Sequence, residues 1–426
     1  MSTRALVWGS SEDRIWSIAA IALRPLQFGL AFPSVLYLVA MSTFLFRPPD
    51  IFSFYADRIA FALLVFFVVL RRLATREPLP FFSEITVPML GLAGLAVLRA
   101  MRDPYQPQNW SIVASKYLVP FALFHISVII FRSERNRRHF ELFSICALAY
   151  LVFTAVAFLA DARFLIFPKF ILDPSLGFHA DRARGPFLQA VANGVSINIL
   201  GILLVAFQRR FALWILLIGI ALPVAILSTM TRAVWISFAA SSLAITYRFA
   251  KNKTRVTFVL LTLAAALSGL ALGFCTHSLQ SAVMDRTEER GPVQARMAVY
   301  EAGWAMFREH PFNGWAAHSM YSELGRRMSG YHFKVFYVHN TYLALLVEFG
   351  LPGLLLYSLL FVNLFRLGRR ESAAKCDSLA TLRSVWPVIL GVYLFNAFFV
   401  DMAYQFVNGL LFTLAGILCA RGEADA

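Results

Sequence analysis

Charge is scarce in this chain. Only 15% of its 426 residues are Asp, Glu, Lys or Arg, against about 25% in a soluble globular domain. Cysteine is scarcer: Cys146, Cys275, Cys376 and Cys419 lie far apart, with no CxxC pair and no Cys/His cluster. Neither a disulfide framework nor a zinc site follows. No Walker loop, HExxH, dinucleotide fingerprint or Ser/His/Asp signature is present, which removes the common nucleotide-dependent, zinc-hydrolase and serine-hydrolase classes. No DxD pair occurs, so a transferase that grips a nucleotide diphosphate through a divalent metal is unsupported. A cleavable signal peptide is not expected either. The apolar stretch Ile15–Leu23 is short and ends at Arg24-Pro25, so the first span is expected to act as its own insertion signal. No internal repeat or low-complexity segment stands out.

What is abundant is apolar surface. Hydrophobic residues make up 59% of the chain and aromatic residues 15%, and the mean hydropathy is +0.66. A soluble enzyme, a disordered chain and a fibrous protein are excluded; an all-α polytopic membrane protein is expected. Apolar runs read as spans near 26–46, 54–70, 85–101, 112–131, 140–160, 188–207, 211–229, 232–247, 256–275, 341–365, 384–400 and 404–420, about twelve in all. The net charge of +15 could signal nucleic acid in a soluble protein, but here arginines flanking spans set topology and touch anionic headgroups. With the amino terminus inside, the inner connections are short and basic: Arg71, Arg72 and Arg76; Arg132, Arg135, Arg137 and Arg138; Arg209 and Arg210; Arg248, Lys251, Lys253 and Arg255. The positive-inside rule therefore predicts both termini in the cytoplasm.

Two outer loops are long. One spans about 161–187. The other spans 276–340, about 65 residues, and long loops with structure of their own are usually functional. Within it, Gly291-Pro292 opens a helical pattern that ends before Pro311. Val293, Met297, Tyr300, Trp304 and Phe307 mark one predicted apolar stripe, expected to lie on the membrane or cap the spans.

Chemistry on the outer side is concentrated in arginines and one histidine. The first loop ends His179-Ala-Asp-Arg182-Ala-Arg184-Gly185-Pro186. Arg232 follows Ser228-Thr-Met-Thr231 at a very short connection, and the long loop supplies Arg286, Arg290, Arg296 and Arg308. Guanidinium forks bind phosphate oxygens bidentately and keep their charge; a lipid pyrophosphate presents such oxygens at headgroup depth. Snorkelling to headgroups is the alternative for any single arginine, Arg182 and Arg308 above all. His339 adjoins a span and has polar neighbours. A neutral imidazole there could take a proton from an acceptor hydroxyl, or the residue could simply precede a helix capped by Asn340 or Thr341. Glu348, two turns into that helix, requires a polar partner and could pair an arginine structurally.

These residues sit in recognisable surroundings. "HPFNGW" at 310–315, "VHNTYLALLVEFGLPGLLLY" at 338–357, "RGPFLQAVANG" at 184–194 and "LSTMTRAVW" at 227–235 together resemble the signature elements of the O-antigen ligase/polymerase family of bacterial glycan transferases. The resemblance implies a GT-C-like architecture of about twelve transmembrane helices with one large periplasmic loop, in the inner membrane, with a periplasmic active site. It implies transfer of a glycan from an undecaprenyl pyrophosphate carrier to an acceptor hydroxyl, without nucleotide sugar, cofactor or metal. Carried over by position, Arg184 and Arg232 bind pyrophosphate, with Arg296 or Arg290 from the long loop. His339 is the essential histidine, supported by Asn340 and Glu348. The chain departs from the family's usual pattern at Ala190–Asn193 and at Gly314-Trp315-Ala316. The expected function is an O-antigen ligase acting on a lipid A–core acceptor. The alternative is a polymerase extending O-antigen or exopolysaccharide on the carrier, and a polysaccharide or lipid transporter is disfavoured by the absence of inverted repeats.

Overall fold

The computed structural model describes residues 32–46, 55–102, 104–207, 213–257, 291–328, 338–369 and 377–420, with a few isolated positions besides. Among these residues the ordered structure is helical, without strands. The first helices are α1 (Pro33–Leu45), α2 (Ala56–Thr75) and α3 (Ser83–Met101). Helix α4 runs from Pro107–Val113 through a π turn at Ala114–Leu118 into Val119–Ile130. Then come α5 (Glu134–Leu159), α6 (Ala190–Phe207), α7 (Leu213–Leu227) and α8 (Arg232–Arg248). The long loop contributes α9 (Gly291–Glu309) and α10 (Ala317–Arg327), and α11 (Thr341–Leu367), α12 (Asp377–Ala397) and α13 (Gln405–Cys419) close the chain.

Among the described residues, six helices are long and apolar enough to cross a membrane: those over Ser83–Met101, Asn109–Ile130, Glu134–Leu159, Ala190–Phe207, Thr341–Leu367 and Leu379–Ala397. Helices α1, α7 and α13 are apolar but shorter. Eleven of the twelve predicted spans fall on described helices, while the run at 256–275 lies largely outside the described residues. Fewer than twelve meet the span criterion because some are short and because α2 carries Asp57, Arg58, Arg71 and Arg72. Exposed leucines on the flanks, including Leu73, Leu98, Leu142, Leu217 and Leu355, leave an apolar exterior that water would not tolerate. The chain is a polytopic helical membrane protein.

Helix α6 is apolar on every side and buried along almost its whole length, the signature of a central helix. It packs against α5, α7, α8 and α12. A buried polar chain ties three of these together: Ser241 Oγ donates to Asn198 Oδ1 at 2.9 Å, and Asn396 Nδ2 donates to Ser237 Oγ at 3.0 Å. In an apolar surround such bonds between helices act as glue. Helix α13 lies closely along α4 because a Cβ at Gly416 would collide with Ser127 and the Phe124 carbonyl. Helix α11 packs on α3.

The long-loop helix occupies the predicted bounds, but its buried face differs in part from the predicted stripe. Val299, Ala302 and Met306 pack with Leu343 and Val347 of α11 and with Met320 and Leu324 of α10; of the predicted stripe, Tyr300 packs against this cluster and Phe307 is buried. Met297 and Trp304 are exposed, and Val293 lies outside the described side chains. Gly303 lies at the close contact with α11, where a Cβ would come within 3.0 Å of Leu343. Arg327 closes this subdomain: Nη2 donates to Glu309 Oε2 at 2.8 Å and Nε to Glu323 Oε1 at 2.7 Å.

Candidate active site

The two halves of the HPFNGW…EFG pattern meet in space. Helix α11 breaks at Gly350, where φ is 68° and ψ is −160°. The break frees backbone groups that a continuous helix would pair, and the 311–315 turn takes them up. Leu351 N donates to the Pro311 carbonyl at 2.7 Å, and Trp315 N donates to the Val347 carbonyl at 2.8 Å. Both glycines are required. A Cβ on Gly350 would collide with the Pro311 carbonyl oxygen, and one on Gly314, at φ 61°, with that of Glu348. Trp315 then anchors the turn: its indole Nε1 donates to the Met306 carbonyl at 2.8 Å, His310 meets it edge-on, and the Arg327 guanidinium lies over its ring.

This docking fixes the start of α11, where His339 lies. Asn340 caps the helix, its Oδ1 accepting from Tyr342 N at 2.9 Å and Leu343 N at 3.0 Å. The capping role and the candidate base therefore belong to adjacent residues and do not compete. The Tyr300 hydroxyl reaches the His339 carbonyl at 3.3 Å and the Phe398 carbonyl at 3.1 Å. Arg296, exposed and one helical turn before Tyr300, is thereby carried to the same corner. His339 is exposed, yet partial desolvation of its ring lowers its pKa below the ordinary imidazole value. The charges of Arg296 and then His179 act in the same direction. The ring is thus held in its neutral, proton-accepting form around neutral pH.

The first long loop and the start of α8 are joined at the same end of the bundle. Ala183 N donates to the Ser228 carbonyl at 3.0 Å. Arg232 is the first residue of α8, exposed, and no described residue pairs with its guanidinium. Thr231 precedes it without making a side-chain cap; its hydroxyl donates to the Thr229 carbonyl instead. The free N–H groups of the first turn and the guanidinium therefore coincide, an arrangement suited to an anion. Ser237, on the second turn of α8, meets Asn396 of α12, which puts the α8 start at the Tyr300–Phe398 end.

Arg184 is placed differently from the phosphate contact its resemblance implies. It is 2% exposed, and its guanidinium donates to the carbonyls of Ile171 (3.0 Å), Leu176 and Asp173. Its fork is satisfied by the loop it belongs to. Arg182, half-buried, lies 3.7 Å from Asp181. Arg290 lies outside the described residues.

Glu348 has a partner, and it is a lysine instead of an arginine. Lys116, on the π turn of α4, places Nζ 3.6 Å from Glu348 Oε2 and 2.8 Å from Asp401 Oδ1. Lys116 and Asp401 escaped the sequence reading because their partners are hundreds of residues away. A charged residue inside the 112–131 apolar run was nevertheless a signal in its own right. Arg99 extends the cluster's rim, its Nε donating to the Trp315 carbonyl at 2.8 Å. Among the described residues no three His, Cys, Asp or Glu side chains gather as metal ligands.

Two exposed arginines, Arg232 and Arg296, and the exposed His339 lie toward one end of the bundle, an arrangement suited to an anionic group. The comparison with protein families makes the class specific: residues 214–358 match the family described as O-antigen ligase. The match covers about a third of the chain, from α7 through about two thirds of α11. It includes Arg232, Arg296, His339 and Glu348, so the resemblance to the O-antigen ligase/polymerase family is shown over that part of the chain. A search of curated proteins finds no match. Ligase- or polymerase-type glycan transfer is the activity the family supports.

Proposed function

We propose that the protein transfers a glycan from undecaprenyl pyrophosphate to an acceptor hydroxyl, as an O-antigen ligase with lipid A–core as acceptor. In this reading it lies in the inner membrane with about twelve spans, both termini in the cytoplasm and the site facing the periplasm. The observation that carries it is the corner formed by Tyr300, which joins the His339 backbone to the helix bearing Arg296.

The chemistry follows from the parts. His339 takes the proton from the acceptor hydroxyl as its oxygen attacks the anomeric carbon. The bond from that carbon to the pyrophosphate oxygen breaks, and undecaprenyl pyrophosphate departs with the electron pair. Arg296 and Arg232, with the α8 N-terminus, stabilise the charge on the leaving group without a metal. Attack opposite the leaving group inverts the anomeric centre. Arg184 enters as the pin of the loop that reaches Ser228, and Glu348 as part of the buried charge cluster.

Reconstitution with purified lipid-linked glycan tests the reading. One tube offers lipid A–core and another offers only more donor. Transfer to lipid A–core supports the ligase; chain extension in the donor-only tube identifies a polymerase; no transfer in either refutes glycan transfer.

A further inference from the structure

We infer that the pair formed by buried Lys116 and half-buried Asp401 is a positioning clamp for His339, acting through the connection between α12 and α13. This inference rests on the reading of His339 as the base. The connection touches the start of α11 at two places. The Thr341 hydroxyl donates to the Val400 carbonyl at 2.9 Å and accepts from Met402 N at 3.0 Å, so one side chain brackets Asp401 on both sides. The Tyr300 hydroxyl spans from Phe398 to the carbonyl of His339 itself. Among the described residues, the Tyr300 and Thr341 hydroxyls thus tie the start of α11 to residues 398–402, beside the Asn340 cap.

That segment is held to α13 by Asn408 Nδ2, which donates to the Met402 carbonyl at 2.8 Å, and to α4 through Asp401. Lys116 Nζ meets both Asp401 oxygens, at 2.8 Å and 3.1 Å, and Glu348 lies on its other side. A buried ion pair is weak evidence for stability, because well-packed apolar residues in its place are often neutral or stabilising. A lysine nearly sealed in a span is costly to keep. What the pair supplies, and apolar packing would not, is a fixed direction and distance between α4 and the 398–402 segment. The π turn at Ala114–Leu118 presents Lys116 there, as such turns often do at functional sites. Neither residue touches the reacting atoms in this account.

The test uses the purified full-length enzyme and lipid-linked donor. Asp401→Asn is expected to lower kcat about tenfold to a hundredfold, the scale of a misplacement near 1 Å, with KM for donor little changed. Asp401→Glu should recover part of the loss. In a His339→Ala background Asp401→Asn should cost nothing more, because a clamp acts only through the group it positions. Thr341→Val cuts the bridge without touching any charge and should reproduce the kcat loss; it decides alone if Asp401→Asn does not accumulate. Parent kcat in Thr341→Val overturns the clamp, as does a full additional loss from Asp401→Asn on top of His339→Ala. If His339→Ala is inactive while both clamp variants keep the parent rate, only the clamp falls. If His339→Ala keeps the parent rate, the reading of the site falls and the clamp with it.

Discussion

Replacing Gly350 with Ala should undock the 311–315 turn from α11. The perturbation has two parts. Alanine at φ 68° costs about 1–3 kcal/mol of backbone strain. Its Cβ also collides with the Pro311 carbonyl oxygen, which is the acceptor for Leu351 N at 2.7 Å. Relieving the collision stretches that bond and its neighbour from Trp315 N to the Val347 carbonyl, each worth about 0.5–1.5 kcal/mol net. Together the loss is about 2–6 kcal/mol, borne by the docked state of the turn. Even the lower figure raises the undocked population about thirtyfold. Hydrogen exchange of the purified protein reads this directly. The Trp315 and Leu351 amides should exchange at least about thirtyfold faster, while amides in the middle of α6 stay protected. Gly314→Ala should do the same, and the double variant should cost less than the sum, since both glycines serve one contact. Unchanged exchange at Trp315 and Leu351 in Gly350→Ala would refute the docking argument.

Other consequences are simpler to state. Arg232→Lys keeps the charge but loses the bidentate fork, so transfer should fall sharply with membrane abundance unchanged; full activity in Arg232→Ala would take the residue out of the site. Turnover of purified enzyme should survive EDTA, because arginines and a helix terminus hold the leaving group; loss restored by magnesium or manganese would contradict that. The rate should stay level as pH is lowered through the ordinary imidazole range of about 6.5 and fall only below it. The neutral ring is the active form, and packing and Arg296 depress its pKa. An acid limb above pH 6.5 would reverse that sign.

Much of the fold was legible because apolar runs of span length leave few alternatives, and eleven of them fall on helices. The α9 boundaries were legible from Gly291-Pro292 and Pro311. Its packing face was legible in part: Tyr300 and Phe307 of the stripe are packed or buried, while Met297 and Trp304 are exposed. The glycines of HPFNGW and EFG were visible as a pattern, but only the structure shows that Gly314 and Gly350 serve a single contact. The sequence left the cap between Asn340 and Thr341, and the structure assigns it to Asn340. Arg184 could not be separated from Arg232 on paper: both are arginines beside a span. The difference is that three loop carbonyls converge on the one, while the other stands at a helix start with no described partner. Lys116 and Asp401 come from opposite ends of the chain, and no local spacing relates them.

The most direct measurement is single-turnover transfer by purified His339→Ala with lipid-linked donor and acceptor, alongside donor binding and membrane abundance. A positioned base contributes 10²–10⁴-fold. The account predicts normal insertion, retained donor binding and transfer reduced at least about a hundredfold. Transfer at the parent rate, or loss of donor binding with the chemical step intact, would contradict it.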